Sequence, residues 1–147
     1  MSNELQQLCT FNVNSHRFAI EVERVQEVLR FQPMTRVPLA SPMVRGLINL
    51  RGQIVTAIDL RRRLGMPDAP SGTLPMSVVL RTEQGAVSVL VDRIGDVCEV
   101  SREQFELPPD TLRDLARDTI RGVFKLPDEL LILLDVERVV EAVRRAV

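Results

Sequence analysis

The chain has 147 residues, 45% hydrophobic and 27% charged, with 3% aromatic and neither Trp nor Tyr, which is room for one ordinary domain or two very small ones sharing an interface. Its formal net charge is −1, so no global field draws it to nucleic acid or to anionic lipid. The longest unbroken aliphatic run, at 130–134, is far short of the roughly 20 residues that span a bilayer, and Met1 to Gln7 lacks the basic start of a secretion signal, so a soluble, intracellular protein without membrane insertion is expected.

Strand-like runs come first at 8–13 and 17–21, separated by the turn signal Asn14-Ser15-His16. His16 is the only histidine, and with no second ligand or acid near it in sequence it reads as a solvated loop residue. A third strand is expected at 25–30. At 44–50 small or apolar residues fall on even positions (Val44, Gly46, Ile48, Leu50) while Arg45, Asn49 and Arg51 share the other face with Leu47, close to the period of a half-buried strand. Gly52-Gln53 then turns the chain into a β-rich run at 54–58, which ends at Asp59, a helix cap. Arg61-Arg62-Arg63 follows and reads as a solvated helical face; a phosphate-binding cluster, and with it a nucleic-acid-binding barrel, is the weaker alternative because no aromatic residues interleave.

The stretch 65–75 is rich in Pro, Gly and Ser, as a linker should be. Beyond it, strands are expected at 77–81, 86–91 and 97–100, a turn with a short helix within 101–118 around Pro108-Pro109, and a hairpin from 119–126 and 130–134 that turns at Pro127-Asp128. Val136, Val139, Val140, Val143 and Val147 recur at helical spacing, with Asp135 placed to cap them, so a C-terminal helix is expected at 135–146.

The two halves repeat each other. VRGLINLRGQIVTAIDLRRRL at 44–64 aligns without a gap to IRGVFKLPDELLILLDVERVV at 120–140, every matched pair lying 76 residues apart, as Arg45 does from Arg121. Upstream, VERVQEV at 22–28 fits VDRIGDV at 91–97 at a spacing of 69, so the second copy carries an insertion, most naturally within 101–118. Many short strands at close spacing, duplicated, indicate two small antiparallel barrels. The expected division of this single domain, spanning 1–147, is one barrel at about 8–64, the linker, a second barrel at about 77–134, and the helix. Neither copy buries much core alone, so a shared interface is expected.

Chemistry-bearing motifs are missing: there is no Gly-rich phosphate loop, nucleophile elbow or zinc-protease helix, and Cys9 and Cys98 have no ligand-spaced partner and read as small buried hydrophobes. Neither catalysis nor a metal or cofactor is expected. What the copies share reads as architecture: Gly46 and Gly122 as positions of turn, backbone freedom or close approach, Asp59 and Asp135 as caps. What they do not share is Arg51-Gly52, replaced by Pro127-Asp128. The hairpin closes without Arg51, which leaves its guanidinium for a partner contact or for an internal salt bridge.

In these residues the sequence resembles the CheW family, the coupling proteins of bacterial chemotaxis arrays. The resemblance covers FAIEVERVQEVLRF at 18–31, MTRVPLASPMVRGLINLRGQIVTAIDLRRRLG at 34–65, SVLVDRIGDV at 88–97 and the closing block at 120–140. Two positions depart from the family pattern: Thr56 stands where Pro is usual and Ser88 where Gly is usual, both at strand positions that tolerate them. The resemblance implies a mainly β fold of two tandem SH3-like, five-stranded antiparallel barrels sharing a hydrophobic core, with a C-terminal helix. It further implies a non-catalytic adaptor, cytoplasmic and recruited to membrane-associated arrays. The implied partners are the cytoplasmic hairpin tip of a chemoreceptor, the regulatory domain of a CheA-type histidine kinase, and other CheW copies in array rings. Carried over position by position, Val25, Glu27, Asn49, Arg51 and Gly52 match the family's receptor-binding groove. Read from the residues alone, Val25 also fits plain core and Glu27 a hairpin role shared with Asp96. A coupling protein for another receptor pathway, such as surface sensing or twitching, has the same fold and the same motifs.

Overall fold

Period-two alternation buries one face of a segment only when a second layer covers it, and here the two sheets meet at a shared apolar cluster while each also curls round a cluster of its own. In the computed structural model, which describes residues 5–145 and side chains as far as 141, the first half comprises β1 (Leu5–Val13), β2 (His16–Glu21), β3 (Val25–Leu29), β4 (Val44–Leu50), β5 (Gln53–Asp59) and the short helix α1 (Leu60–Leu64). The second half comprises β6 (Met76–Thr82), β7 (Gly85–Val91), β8 (Arg93–Ser101), β9 (Phe105–Glu106), β10 (Ile120–Lys125), β11 (Leu130–Leu134) and helix α2 (Val136–Arg145). The side chains of Val143 and Val147, named for the helical stripe, lie outside the described residues. The stretch 101–118 holds, directly after Pro108-Pro109, the expected short helix, a single 3-10 turn at Asp110–Leu112, with another at Arg102–Gln104 and the two-residue strand β9. Two residues are too few for a period to register.

The strands sort into two sheets, in the orders β8-β1-β2-β11-β10-β9 and β3-β6-β7-β5-β4. This corrects the expected boundaries at 8–64 and 77–134, because each half lends its first hairpin to the other half's sheet. The reason is in the links: β2 reaches β3 through Val22–Arg24 alone, and β7 reaches β8 through Asp92 alone, so the chain passes straight from one sheet into the other. A repeat in sequence shows which segments are alike and says nothing of which copy each strand pairs with. The exchange also makes one pair in each sheet parallel, β2 with β11 and β5 with β7, so neither barrel is purely antiparallel and one has six strands. No crossover helix is needed, since the parallel partners come from different halves.

Three apolar clusters result. Ile48, Leu50, Val55, Ala57, Val79 and Leu90 fill the five-stranded barrel, and Leu8, Ala19, Val100, Phe124, Leu131 and Leu133 fill the six-stranded one. The largest cluster joins the two, packing Phe11, Val13, Phe18 and Ile20 of one sheet against Ile58, Val78, Leu80 and Val89 of the other, with α1 and α2 at its margin. The interiors follow the repeat: Ile48, Val55 and Ala57 hold the places of Phe124, Leu131 and Leu133, each 76 residues away. At the 69-residue spacing, Ser77 and Ser88 hold the places of Leu8 and Ala19; both are buried, and neither hydroxyl has a hydrogen-bond partner.

Asp59 Oδ1 accepts the Arg62 N–H at 3.1 Å and Asp135 Oδ1 accepts the Arg138 N–H at 3.1 Å, so each acid starts its helix. Their own N–H groups donate to the Met43 and Thr119 carbonyls, both at 2.7 Å, again 76 residues apart. Gly46 and Gly122 lie inside β4 and β10 beside bulges, not in turns. A Cβ on Gly46 would stand 2.6 Å from the Thr35 carbonyl oxygen, and one on Gly122 would stand 2.3 Å from the Phe105 ring. Both serve close approach: the chain leaving β3 returns at Thr35 to pair with Leu47, as β9 does against β10, and each barrel closes there.

Candidate functional site

The β4–β5 hairpin closes tightly because Leu50 pairs with Gln53, leaving Arg51 and Gly52 as a two-residue loop with φ of 51° and 87°. Two positive φ values suit the right-handed twist of the flanking strands, and Gly accepts one at no cost. Arg51 does not, since left-handed backbone is uncommon for a residue with a Cβ. Asn49 fixes the loop from inside, its Oδ1 accepting the Gly52 N–H at 2.9 Å. The equivalent β10–β11 turn closes round the same two positions, Pro127 and Asp128, with the Leu126 N–H donating to the Glu129 carbonyl at 2.9 Å.

From this turn the Arg51 guanidinium reaches Glu27 on β3 and forms an ion pair with it. β3 and β4 are the two edges of their sheet, so the pair spans the gap where the chain leaves β3. The hydrogen bond from Arg51, and then its charge, holds the Glu27 carboxyl below its ordinary range. The side chain of Arg51 nonetheless remains 70% exposed. The guanidinium therefore makes the internal salt bridge that was one of the two expectations for it, and its head stays accessible.

Asn49, Arg51 and Gly52 share one turn, and the ion pair brings Glu27 to them. Val25 is set apart by a bulge between it and Glu27, and packs half-buried against the shared core. Ile54, paired with Asn49 across the hairpin, is 60% exposed. Sequence reading passed over it as part of a β-rich run; its signal was an aliphatic residue directly beside the Arg51-Gly52 turn, at the end of the strand far from the buried Ile58.

The arginine run is not a solvated face. Arg61 is paired with Asp92 at 2.7 Å, Arg62 with Asp68 at 3.0 Å, and Arg63 is buried, donating to the carbonyls of Val139 at 2.9 Å and Arg138 at 2.7 Å and to Asp118 at 3.0 Å. A barrel that bound nucleic acid through these three would have to break those bonds first. Cys9 and Cys98 are half-buried where full burial was expected, and burial pushes the Cys9 thiol up. His16 meets Phe18 edge-on with ring centroids 6.1 Å apart. Among the described residues no three of His, Cys, Asp and Glu are placed so as to hold a metal ion, and no helix is long and apolar enough to cross a membrane.

A family model described as the CheW-like domain matches residues 7–144. The chain is 30% identical over 139 residues to a chemotaxis protein CheW of Rhizobium meliloti, covering 95% of this chain and 90% of that protein. It is 29% identical over 136 residues to a chemotaxis protein CheW of Bacillus subtilis, covering 92% and 87%. In architecture it is similar to the crystal structure of scaffolding protein TtCheW from Thermoanaerobacter tengcongensis, with a TM-score of 0.81, 21% identity and 90% of each chain covered.

Proposed function

The chain belongs to the CheW-like domain family, and on that premise we propose that it is a non-catalytic chemotaxis adaptor, coupling the cytoplasmic tips of chemoreceptors to a CheA-type histidine kinase and helping to assemble signalling arrays. The observation that carries this reading is Arg51, held on a two-residue turn by Asn49 and paired to Glu27 while most of its head faces solvent. A helical receptor tip would lay apolar side chains over Ile54 and the exposed side of the hairpin, and the Glu27–Arg51 pair would set its register. The pair also reduces the ordering cost of binding, because the guanidinium is already fixed.

The kinase's regulatory domain would meet the barrel ends, where edge strands β3 and β8 offer unpaired backbone groups. Each contact is moderate, and an array gains strength by joining many of them. Placement in the cytoplasm, at the inner face of a receptor array, follows from these partners. Activity is then governed by geometry, with no bond made or broken in this chain.

Titration calorimetry against a receptor hairpin fragment and against the kinase regulatory domain tests the reading. Micromolar binding to both is expected, with Arg51→Ala weakening the receptor fragment and sparing the kinase domain. If Arg51→Ala changes neither, the groove assignment fails. If the unaltered protein binds neither partner, the adaptor role fails with it, and binding confined to the tip of a receptor from another pathway moves the role there.

A further inference from the structure

Each barrel carries an open groove in an equivalent place. On the five-stranded barrel the groove measures about 440 Å³ and lies between Arg45 at the start of β4, the Phe31 to Arg36 segment, and the end of the linker at Leu74. Its counterpart on the six-stranded barrel measures about 750 Å³; there Leu5 stands where Leu74 does, 69 residues away, and Arg121 stands where Arg45 does, 76 residues away.

The two grooves differ in charge. The second is lined by Glu21, Glu23 and Glu99 beside two arginines. The first is lined by Arg36, Arg45 and Arg62 and by no carboxylate. Asp59 and Asp68, outside that lining, pair with Arg45 and Arg62 and so fix those two guanidiniums in the wall, whereas Arg36 has no ion pair among the described residues. The lining also leaves apolar surface in water, with Phe31 37% and Leu74 64% exposed.

We propose that the groove of the five-stranded barrel docks an extended protein segment carrying large apolar side chains between carboxylates. The apolar side chains cover Phe31 and Leu74, and the carboxylates meet Arg36 and the exposed rims of the other two arginines. An apolar floor is of no use to a sugar-phosphate strand, and two of the three positive charges are already answered, which favours a peptide with a few acids over a polyanion. The groove lies at the opposite end of β4 from Arg51, about 20 Å along the strand, so it can be filled while the Arg51 face is occupied. The proposal does not depend on the adaptor reading.

The test uses the intact protein, the peptide EELFDDL as probe and its charge-reversed form KKLFKKL, followed by amide NMR shifts. Shifts from EELFDDL are expected around Phe31, Arg36 and Leu74, fading as salt is raised. Arg36→Glu and Leu74→Ser, both at exposed positions that leave the core intact, are each expected to weaken binding about tenfold, while the basic peptide leaves these residues unmoved. The proposal is overturned if EELFDDL at about 1 mM, the weak end of measurable affinity, shifts nothing. Shifts centred on Arg51 or on Phe105, equal binding of KKLFKKL, or indifference to both variants would overturn it too.

Discussion

Arg63 donates to the backbone carbonyl of Val139, the residue that occupies its own position in the second half of the chain. A side chain that touches its own counterpart sits on the approximate two-fold axis of a duplicated protein. Two arginines there would bury like charges against each other, and two valines would leave the junction of α1 and α2 without a polar tie. One arginine facing one valine avoids both, and the asymmetry of the two halves is set at their centre.

Arg63→Ala should therefore destabilise the protein by about 2–4 kcal/mol, since the guanidinium is buried and its loss opens a gap beside α2. Arg62→Ala, whose side chain is 40% exposed, should cost well under that, as exposed ion pairs contribute little. Urea unfolding midpoints of the two variants provide the comparison, and equal losses would remove Arg63 from its place as the tie between the halves.

Gly46→Ala should cost about 1–3 kcal/mol, because the added methyl meets a backbone oxygen that cannot turn aside. Gly72→Ala makes the contrast, since its Cβ would meet nothing within 4 Å and its only penalty is a φ of 86°, about 1 kcal/mol. Thermal unfolding of both separates the cost of close approach from the cost of left-handed backbone.

Ser88→Ala should stabilise the protein by up to about 1 kcal/mol. The hydroxyl is buried without a partner, and the methyl that replaces it restores what Ala19 does in the other barrel. A fall in the unfolding midpoint would mean that the hydroxyl is bonded in solution.

Arg51→Ala should return the Glu27 carboxyl toward its ordinary value near 4.3, followed by NMR titration. In the unaltered protein the folded-state value lies below the unfolded one. The stabilisation is therefore present above the unfolded value and is lost as pH falls through the folded one, so the variant should show a flatter loss of stability in acid.

Local structure was largely legible in the sequence, because alternation, caps and turn residues act over a few positions. β4 and β11 begin and end where their patterns do, and Asp59 and Asp135 cap from within three residues. The site was legible in part: the difference between the copies singled out Arg51, yet nothing in the sequence tells that Glu27, on the far edge of the sheet, would pair with it. Long-range pairing was the hidden level. The arginine run pointed to solvent by composition, and only the arrival of α2 and Asp118 from the second half turns Arg63 inward.

The hairpin exchange also orders the molecule's assembly in time. The five-stranded barrel uses only residues 25–91, so it can close as soon as β7 has left the ribosome. β1 and β2 emerge before the rest of their sheet, with Phe11 and Phe18 to cover, and their place between β8 and β11 is complete only when Leu134 is made. At ordinary rates of translation that is a wait of roughly 6–20 s. The β1–β2 hairpin, made before either of its partner strands, is thus among the last parts of this fold to be sheltered, and a chaperone that guards nascent chains would find a long-lived client surface there.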